Sequence, residues 1–254
     1  MRKTQPIVGP ARKALRLLLL GTHLLRGWFE LRVLFGRVPV AEQRWRVKDW
    51  CDRMLHIAGV TLEVQGIRAL GHPVLLVANH VSWLDVVVLQ ALHPCRFVAK
   101  KEVRDWPMIG AMATRCETLY VDRDTRRFTL QAAAAIAAAL RQGDSVVLFP
   151  EGTTSDGSRL LPFRASLLQG AIDARVRVVP VALRFADRGT ASASRAAAYV
   201  GDDSLLGAMW RGLGRNLTVR VTFGDAVEPG ATRRRELAAD LHSRVAGLQA
   251  THVR

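Results

Sequence analysis

The chain has 254 residues, 49% of them hydrophobic, so it can bury a sizeable core, and one domain with an N-terminal appendage is expected. Lysine and arginine number 37 against 22 acidic residues, a formal net charge of +15, and only five of the basic residues are lysine. Such an excess favours polyanions, either nucleic acid or an anionic membrane surface. Aromatic residues make up only 6% and no nucleic-acid-binding motif is visible, so no nucleic-acid partner is expected.

Residues 1–58 predict two amphipathic helices. The uncharged run at 17–25 is far shorter than the roughly 20 apolar residues that a membrane-spanning helix needs. Apolar residues recur there at helical spacing: Leu17, Leu20, Leu24, Trp28, Leu31 and Phe35. A second stripe follows Pro39: Val47, Trp50, Cys51, Met54, Leu55 and Ala58. We interpret the first helix as lying in a membrane interface, with packing of both stripes on the protein core as the alternative.

Residues 59–254 alternate short apolar runs with helical patterns, which is typical of an α/β domain. Strands are predicted at 61–64, 74–78, 96–99, 118–121, 145–149, 176–183 and 217–223. Helices are predicted at 84–92, 108–115, 126–141, 165–174 and 232–248. The sequence therefore predicts a single twisted mixed β-sheet flanked by helices, preceded by the N-terminal two-helix unit.

The most informative motif comes directly after the second predicted strand, where His80 is followed five residues later by Asp85. In open α/β sheets, sites are built on the loops beyond the carboxyl ends of the strands. An aspartate at this spacing can hold one imidazole nitrogen and leave the other for substrate, which is the base-and-orienter pair of acyl-transfer enzymes. The alternative is a helix cap, because Ser82 and Asp85 also fit a capping box.

A second loop, Glu151-Gly152-Thr153, follows the strand predicted at 145–149. Glycine permits a tight turn that exposes backbone N–H groups, and such a loop suits an anionic oxygen, although an ordinary surface turn has the same composition. Two arginines, Arg123 and Arg164, stand near the two loops, and a guanidinium can grip phosphate through two hydrogen bonds.

Four segments in this order resemble the glycerolipid acyltransferases, in particular the 1-acylglycerol-3-phosphate O-acyltransferase type. The first is the His-x4-Asp motif, the second runs from 110 to 123, the third is 149–153 with Phe163-Arg164, and the fourth is Val-Pro-Val-Ala at 179–182. The resemblance covers about residues 62–248. One position departs from it, because Ala165 follows Arg164 where many relatives carry glycine soon afterwards.

The resemblance implies transfer of a fatty acyl group to the sn-2 hydroxyl of lysophosphatidic acid, giving phosphatidic acid. His80 would be the general base and Asp85 its orienter, so activity should rise with pH through the imidazole range. The acceptor phosphate would be held by Arg123, Arg164 and the Gly152-Thr153 backbone. Glu151 would fix that loop or bind a substrate hydroxyl, and Lys101 would be a further contact for an anionic group.

The implied partners are a lysophospholipid acceptor, an anionic membrane surface and an acyl thioester donor. The donor is acyl-CoA or acyl carrier protein loaded with a fatty acid, so no cofactor is expected. No metal motif is visible, and the three cysteines, Cys51, Cys95 and Cys116, form no CxxC pair. An odd number of cysteines without an export signal favours reduced thiols. We therefore expect a peripheral, monotopic protein on the cytoplasmic face of the inner membrane.

Two alternatives stay open from the sequence. Related bacterial acyltransferases use other lysolipids, including lyso-ornithine lipid and lysophosphatidylcholine, so the acceptor could differ while the chemistry stays the same. The second alternative is a non-catalytic basic protein that binds membrane or nucleic acid, for which His80 and Asp85 would have no use.

Overall fold

A computed structural model describes residues 8–66, 70–121, 126–190, 193–201, 203–230 and 232–251. Seven strands lie in these ranges: β1 Val60–Gln65, β2 Leu75–Ala78, β3 Arg96–Lys100, β4 Leu119–Val121, β5 Val146–Leu148, β6 Val178–Asp187 and β7 Leu217–Phe223. They form one sheet in the order β1-β7-β6-β2-β5-β3-β4, in which only the β6–β7 pair is antiparallel. The predicted mixed sheet is confirmed.

The helices of the described ranges are α1 Pro10–Val33, α2 Val40–Ala58, α3 Leu84–Leu92, α4 Ile109–Arg115, α5 Arg126–Arg141, α6 Gln169–Ala174, α7 Leu205–Leu213 and α8 Arg234–Thr251. Short 3-10 segments occupy Phe35–Arg37, Lys101–Asp105 and Ala165–Leu168. Helix α7 was not predicted. It begins where the hydroxyl of Ser204 accepts a hydrogen bond from Gly207 N at 3.0 Å, a serine N-cap.

Helices cover both faces of the sheet. Residues of α1, α2, α3 and α7 pack with the sheet in one core, and residues of α5, α6 and α8 pack on the other face. Strand β2 is buried on both sides, with Leu76 and Ala78 in the first core and Leu75 and Val77 in the second. Burial on both faces explains why this strand is a continuous apolar run with no alternation.

The stripe that we assigned to the membrane interface faces the protein. Leu20, Leu31 and Phe35 are buried, and Leu17 and Leu24 pack against the sheet core. The alternative of core packing is therefore correct for this stripe, and it is equally correct for the stripe of α2. Helix α1 carries a second apolar face, which is exposed: Leu15, Leu18, Leu25 and Phe29.

Helices α1 and α2 are held together by a pair of aromatic side chains. The rings of His23 and Trp50 stack with centroids 4.8 Å apart, and each ring donates a hydrogen bond to the other residue's backbone carbonyl. Gly27 lies against the Trp50 indole, where an added Cβ would collide with the ring. A small residue is thus required at position 27 for this close approach.

The sheet order brings the two predicted loops together. Strands β2 and β5 are adjacent and parallel, so the loop after β2, which carries His80, and the loop after β5, which carries Glu151, leave the same edge. This is the carboxyl edge, where α/β proteins place their sites. Within the described chain, no helix has an apolar stretch long enough to cross a bilayer.

Candidate active site

The imidazole of His80 is paired with the carboxylate of Asp85. His80 Nδ1 lies 2.7 Å from Asp85 Oδ2, and the Asp85 side chain is fully buried while that of His80 is about one fifth exposed. An ionised carboxylate can only accept hydrogen bonds, so Nδ1 carries the proton and Nε2 presents its lone pair. The ring of His80 also stacks on Phe149, with centroids 4.1 Å apart, which restricts its orientation.

The same carboxylate oxygen shapes the loop that carries the histidine. Asp85 Oδ2 accepts hydrogen bonds from the backbone N–H groups of Val81 at 2.7 Å and Ser82 at 2.9 Å. The hydroxyl of Ser82 accepts one from Leu84 N at 3.2 Å. Asp85 therefore contacts both the imidazole and the backbone of the turn that leads into α3.

Glu151 links three segments of the site. Its Oε1 accepts from the backbone N–H of His80 at 2.7 Å, and its Oε2 accepts from the backbone N–H of Leu161 at 2.8 Å. Burial raises the pKa of this carboxyl group, and the two backbone hydrogen bonds oppose that rise. Of the two roles that the sequence left open for Glu151, the loop-fixing one matches this geometry.

One buried side chain of the site had no role in the sequence analysis. Asn79, immediately before His80, donates from Nδ2 to Leu183 O at 2.9 Å and accepts at Oδ1 from Leu183 N at 2.7 Å. The amide thus continues the pairing of β2 with β6 by one further position. The sequence signal for this role was an asparagine between a buried strand and the histidine, because a buried amide needs hydrogen-bond partners.

The Gly-Thr loop and Arg164 lie against each other. Gly152 has a left-handed φ of +74°, and a Cβ there would sit 3.1 Å from Arg164 Nε. The backbone N–H of Arg164 donates to Pro150 O at 2.8 Å, which ties the arginine to the start of the loop. His80, Gly152, Thr153 and Arg164 all line one cavity. The structure therefore brings these four predicted site residues together.

The outcome differs for the other two predicted residues. Lys101 is exposed at the start of the 3-10 segment Lys101–Asp105 and does not line the cavity, whereas its neighbour Lys100 does. The chain turns out of β3 at this point, which separates the two lysines. Arg123 lies outside the described residues.

The cavity has a volume of about 660 Å³ and a largely apolar lining. It is bounded by the His80 loop on the sheet side and by both N-terminal helices, which contribute Leu24, Leu31, Cys51 and Met54. Cys116 also lines it, and burial raises the pKa of this thiol to about 12. A thiol held protonated is a poor nucleophile, so Cys116 is no candidate for the attacking group.

Comparison with known proteins identifies the family. An acyltransferase family model matches residues 61–184. The 1-acyl-sn-glycerol-3-phosphate acyltransferase of Neisseria meningitidis serogroup B is 39% identical over 84% of each chain. This chain belongs to the acyltransferase family. Among other members, a lyso-ornithine lipid O-acyltransferase of Brucella abortus is 40% identical over 80% of this chain and 81% of its own length.

The fold has a counterpart among solved structures of the acyltransferase family. The 1-acyl-sn-glycerophosphate acyltransferase of Thermotoga maritima superposes with a TM-score of 0.66, covering 95% of this chain and 98% of its own. Sequence identity is 19%, so the likeness is one of fold. It extends over the N-terminal helices as well as the sheet, because nearly the whole chain is covered.

Proposed function

We propose that this acyltransferase moves a fatty acyl group from an acyl thioester to the sn-2 hydroxyl of lysophosphatidic acid. The observation that carries the proposal is the buried His80–Asp85 pair beside an apolar cavity that Arg164 also lines. One such site offers a base, a phosphate ligand and room for acyl chains. The identity to the Neisseria enzyme supports the same acceptor.

In the proposed reaction His80 Nε2 takes the proton of the acceptor hydroxyl as its oxygen attacks the thioester carbonyl. Asp85 holds the ring and stabilises the imidazolium that forms. When the tetrahedral intermediate collapses, the carbon–sulfur bond breaks and the imidazolium returns its proton to the leaving thiolate. An ester and a free thiol result, and the histidine is neutral again. A base of this kind contributes about 10² to 10⁴-fold.

The oxyanion of the intermediate needs a hydrogen-bond donor, and the Gly-Thr loop is the better source. The backbone N–H groups of His80, Val81 and Ser82 already donate to Glu151 and Asp85. Thr153 lines the cavity and donates to no other described residue from its backbone or its hydroxyl. We therefore assign the oxyanion to Thr153, where one donor is worth roughly 10² to 10³-fold.

The acceptor phosphate is assigned to Arg164, because the Gly152 N–H already donates to Phe149 O at 3.1 Å and Thr153 is assigned to the oxyanion. The Arg164 side chain is exposed and lies over Gly152, so its guanidinium can reach an anion at the mouth of the cavity. Arg123 stays a predicted second phosphate ligand. Lys100 replaces Lys101 as the lysine nearest to the site, since it lines the cavity.

We further propose that α1 rests on the bilayer through its exposed apolar face. Leu18 and Phe29 are more than 60% exposed, and they lie on one side of the helix with Leu15 and Leu25. Because the opposite side of α1 walls the cavity, this placement would let a lipid acyl chain pass from the bilayer into the site. Replacing Leu18 and Phe29 with serine should release the protein from vesicles, whereas Leu130→Ser on α5, also exposed, should not.

Lyso-ornithine lipid is the second candidate acceptor. The Brucella lyso-ornithine lipid O-acyltransferase matches this chain at 40% identity, as strongly as the Neisseria enzyme does at 39%. The two acceptors differ at the group that Arg164 would meet. Lysophosphatidic acid carries a phosphate, whereas the headgroup of lyso-ornithine lipid carries a carboxylate offset by an ammonium group, so loss of Arg164 should weaken binding of the phosphate lipid more.

The experiment is acyl transfer by purified protein in mixed micelles, with acyl-CoA and acyl carrier protein loaded with the same chain as donors. Lysophosphatidic acid, lyso-ornithine lipid and lysophosphatidylcholine are offered separately to wild type and to Arg164→Ala. The proposal predicts phosphatidic acid as the main product and a KM for lysophosphatidic acid at least tenfold higher in the variant. Product from lyso-ornithine lipid alone, unaffected by Arg164→Ala, would replace the acceptor and keep the chemistry.

A further inference from the structure

A second groove lies outside the proposed active site, between α1 and α4. Its volume is about 420 Å³, and its lining residues include three arginines, Arg32, Arg104 and Arg115. Two indoles, Trp28 and Trp106, complete its rim. We call these five residues the arginine groove.

The three arginines differ from their neighbours in their pairing. On α1 and α2, Arg26, Arg46 and Arg53 each form an ion pair with a carboxylate on the same helix, four residues away. In the described part of the chain, no ion pair within 4 Å joins the arginines of the groove to a carboxylate. The groove therefore concentrates positive charge that the protein itself does not neutralise.

The groove borders the exposed apolar face of α1. Arg32 follows Phe29 by three residues and Leu25 by seven, so the three side chains share one side of the helix. The guanidinium of Arg32 packs over the Trp28 ring at 4.9 Å. Tryptophan and arginine side by side next to an apolar face are typical of the headgroup level of a membrane.

We propose that the arginine groove binds the headgroup phosphate of an anionic phospholipid of the bilayer. The inference rests on the bilayer contact of α1 proposed above. A phosphodiester carries the opposite charge to these guanidinium groups, and its oxygens suit their forked hydrogen-bond donors. The floor of the groove includes Leu31 and Met112, which also line the cavity, so it offers apolar contact to the glycerol and first methylenes. A bound headgroup would fix how the cavity entrance meets the membrane.

The test compares two full-length triple variants with equal loss of charge. One is Arg32→Gln/Arg104→Gln/Arg115→Gln, and the other is Arg233→Gln/Arg234→Gln/Arg235→Gln, at and before the start of α8, where all three arginines are exposed. The helix α8 packs on the opposite face of the sheet from α1. Equal melting temperatures for the three proteins establish that both variants fold.

Binding is measured with dihexanoyl phosphatidylglycerol below its micelle concentration, by tryptophan fluorescence, without acyl donor. We expect saturable binding by wild type and by the α8 variant, and at least a tenfold weaker Kd in the groove variant. Phosphatidylglycerol vesicles should repeat this order, and phosphatidylcholine vesicles should bind all three proteins alike. Equal weakening in both variants would show diffuse charge and overturn the site, as would equally tight binding of inorganic phosphate.

Turnover separates this inference from the proposed function. In non-ionic micelles the groove variant should keep the kcat of wild type, since none of its changes touches the His80 site. Failure of wild type to transfer acyl groups would contradict the proposed function while the lipid-binding result stands. A raised KM of the groove variant for acyl-CoA would assign the groove to the donor and overturn the lipid proposal.

Discussion

Glu151 Oε1 accepts a hydrogen bond from the backbone N–H of His80 at 2.7 Å, so the proposed base is held by a side chain 71 residues away in sequence. The other oxygen of the same carboxylate holds Leu161 N. One buried carboxylate thus fixes the positions of two loops relative to the imidazole without touching the ring.

Glu151→Gln should lower kcat by roughly 10 to 100-fold with a small change in KM. The amide offers one acceptor oxygen for two backbone N–H groups, because its nitrogen cannot accept, and the buried N–H left unsatisfied costs about 1–3 kcal/mol. The variant mimics protonation, which the raised pKa of Glu151 brings closer to neutral pH. Steady-state kinetics with lysophosphatidic acid check this. Wild-type kcat in a folded Glu151→Gln protein would refute the loop-fixing role.

Asp85→Asn tests the orienter. Asparagine keeps the size of the side chain, but its amide nitrogen cannot accept the hydrogen bonds that Oδ2 now receives from the His80 ring and from Val81 and Ser82. If the asparagine oxygen accepts from the two backbone N–H groups, no negative charge remains beside the His80 ring to stabilise its imidazolium form. We expect kcat to fall on the order of 10³-fold, within the range of base catalysis. A fall in stability with unchanged kcat would indicate that Asp85 is only a helix cap.

A histidine cluster at the opposite edge of the sheet predicts acid lability. His93 Nε2 and His72 Nδ1 both contact the hydroxyl of Ser145, at 2.9 and 2.8 Å, and the two rings stack 4.3 Å apart. The pKa of His93 is lowered to about 4, mainly by burial and to a smaller extent by the neighbouring His72. Burial and Arg44 lower the pKa of His72, against the opposing effect of Asp144.

Since an unfolded histidine titrates near 6.5, the unfolded chain takes up protons below that pH that folded His93 does not. Stability should therefore fall as pH drops from 6.5 towards 4, by roughly 2 kcal/mol between pH 7 and pH 5 from His93 alone. Urea unfolding of wild type and of His93→Gln at the two pH values measures the difference. An identical pH dependence in both proteins would contradict this account.

The shared cavity predicts that α2 sets acyl-chain length. Cys51 is buried on α2 and lines the cavity, so Cys51→Phe would fill part of the space between the helix and the sheet. We expect kcat/KM to fall most for the longest acyl thioesters and to be retained for short ones. A series of donors from eight to eighteen carbons provides the measurement. A uniform loss at all lengths would mean that acyl chains do not reach Cys51.

The fold was largely predictable because each signal was local. Strand β2 is apolar on both faces, and α5 is a run of strong helix formers, so both were found close to their true limits. Helix α7 was missed because it has only nine residues, of which Gly207 and Gly212 are poor helix formers. Which apolar face of α1 is covered depends on tertiary packing, and periodicity alone does not decide it.

The sequence predicted which residues form the site better than it predicted which of them contact each other. The His80–Asp85 pair is local in sequence and was confirmed as a contact, whereas the bridge from Glu151 to His80 requires that β2 and β5 be neighbours. Strand order is set by packing over the whole sheet, so no short motif reports it. The choice between Lys100 and Lys101 likewise depends on where β3 ends, and limits of elements are the least certain feature of any sequence analysis.

The central claim is that His80 is the base of an acyl transfer. It is tested most directly by turnover of lysophosphatidic acid and a long-chain acyl thioester with wild type, His80→Ala and the control His56→Ala, an exposed histidine on α2. The account predicts phosphatidic acid from wild type and the control, and at least a 10²-fold lower kcat in His80→Ala with unchanged folding. Equal turnover by all three proteins would contradict it.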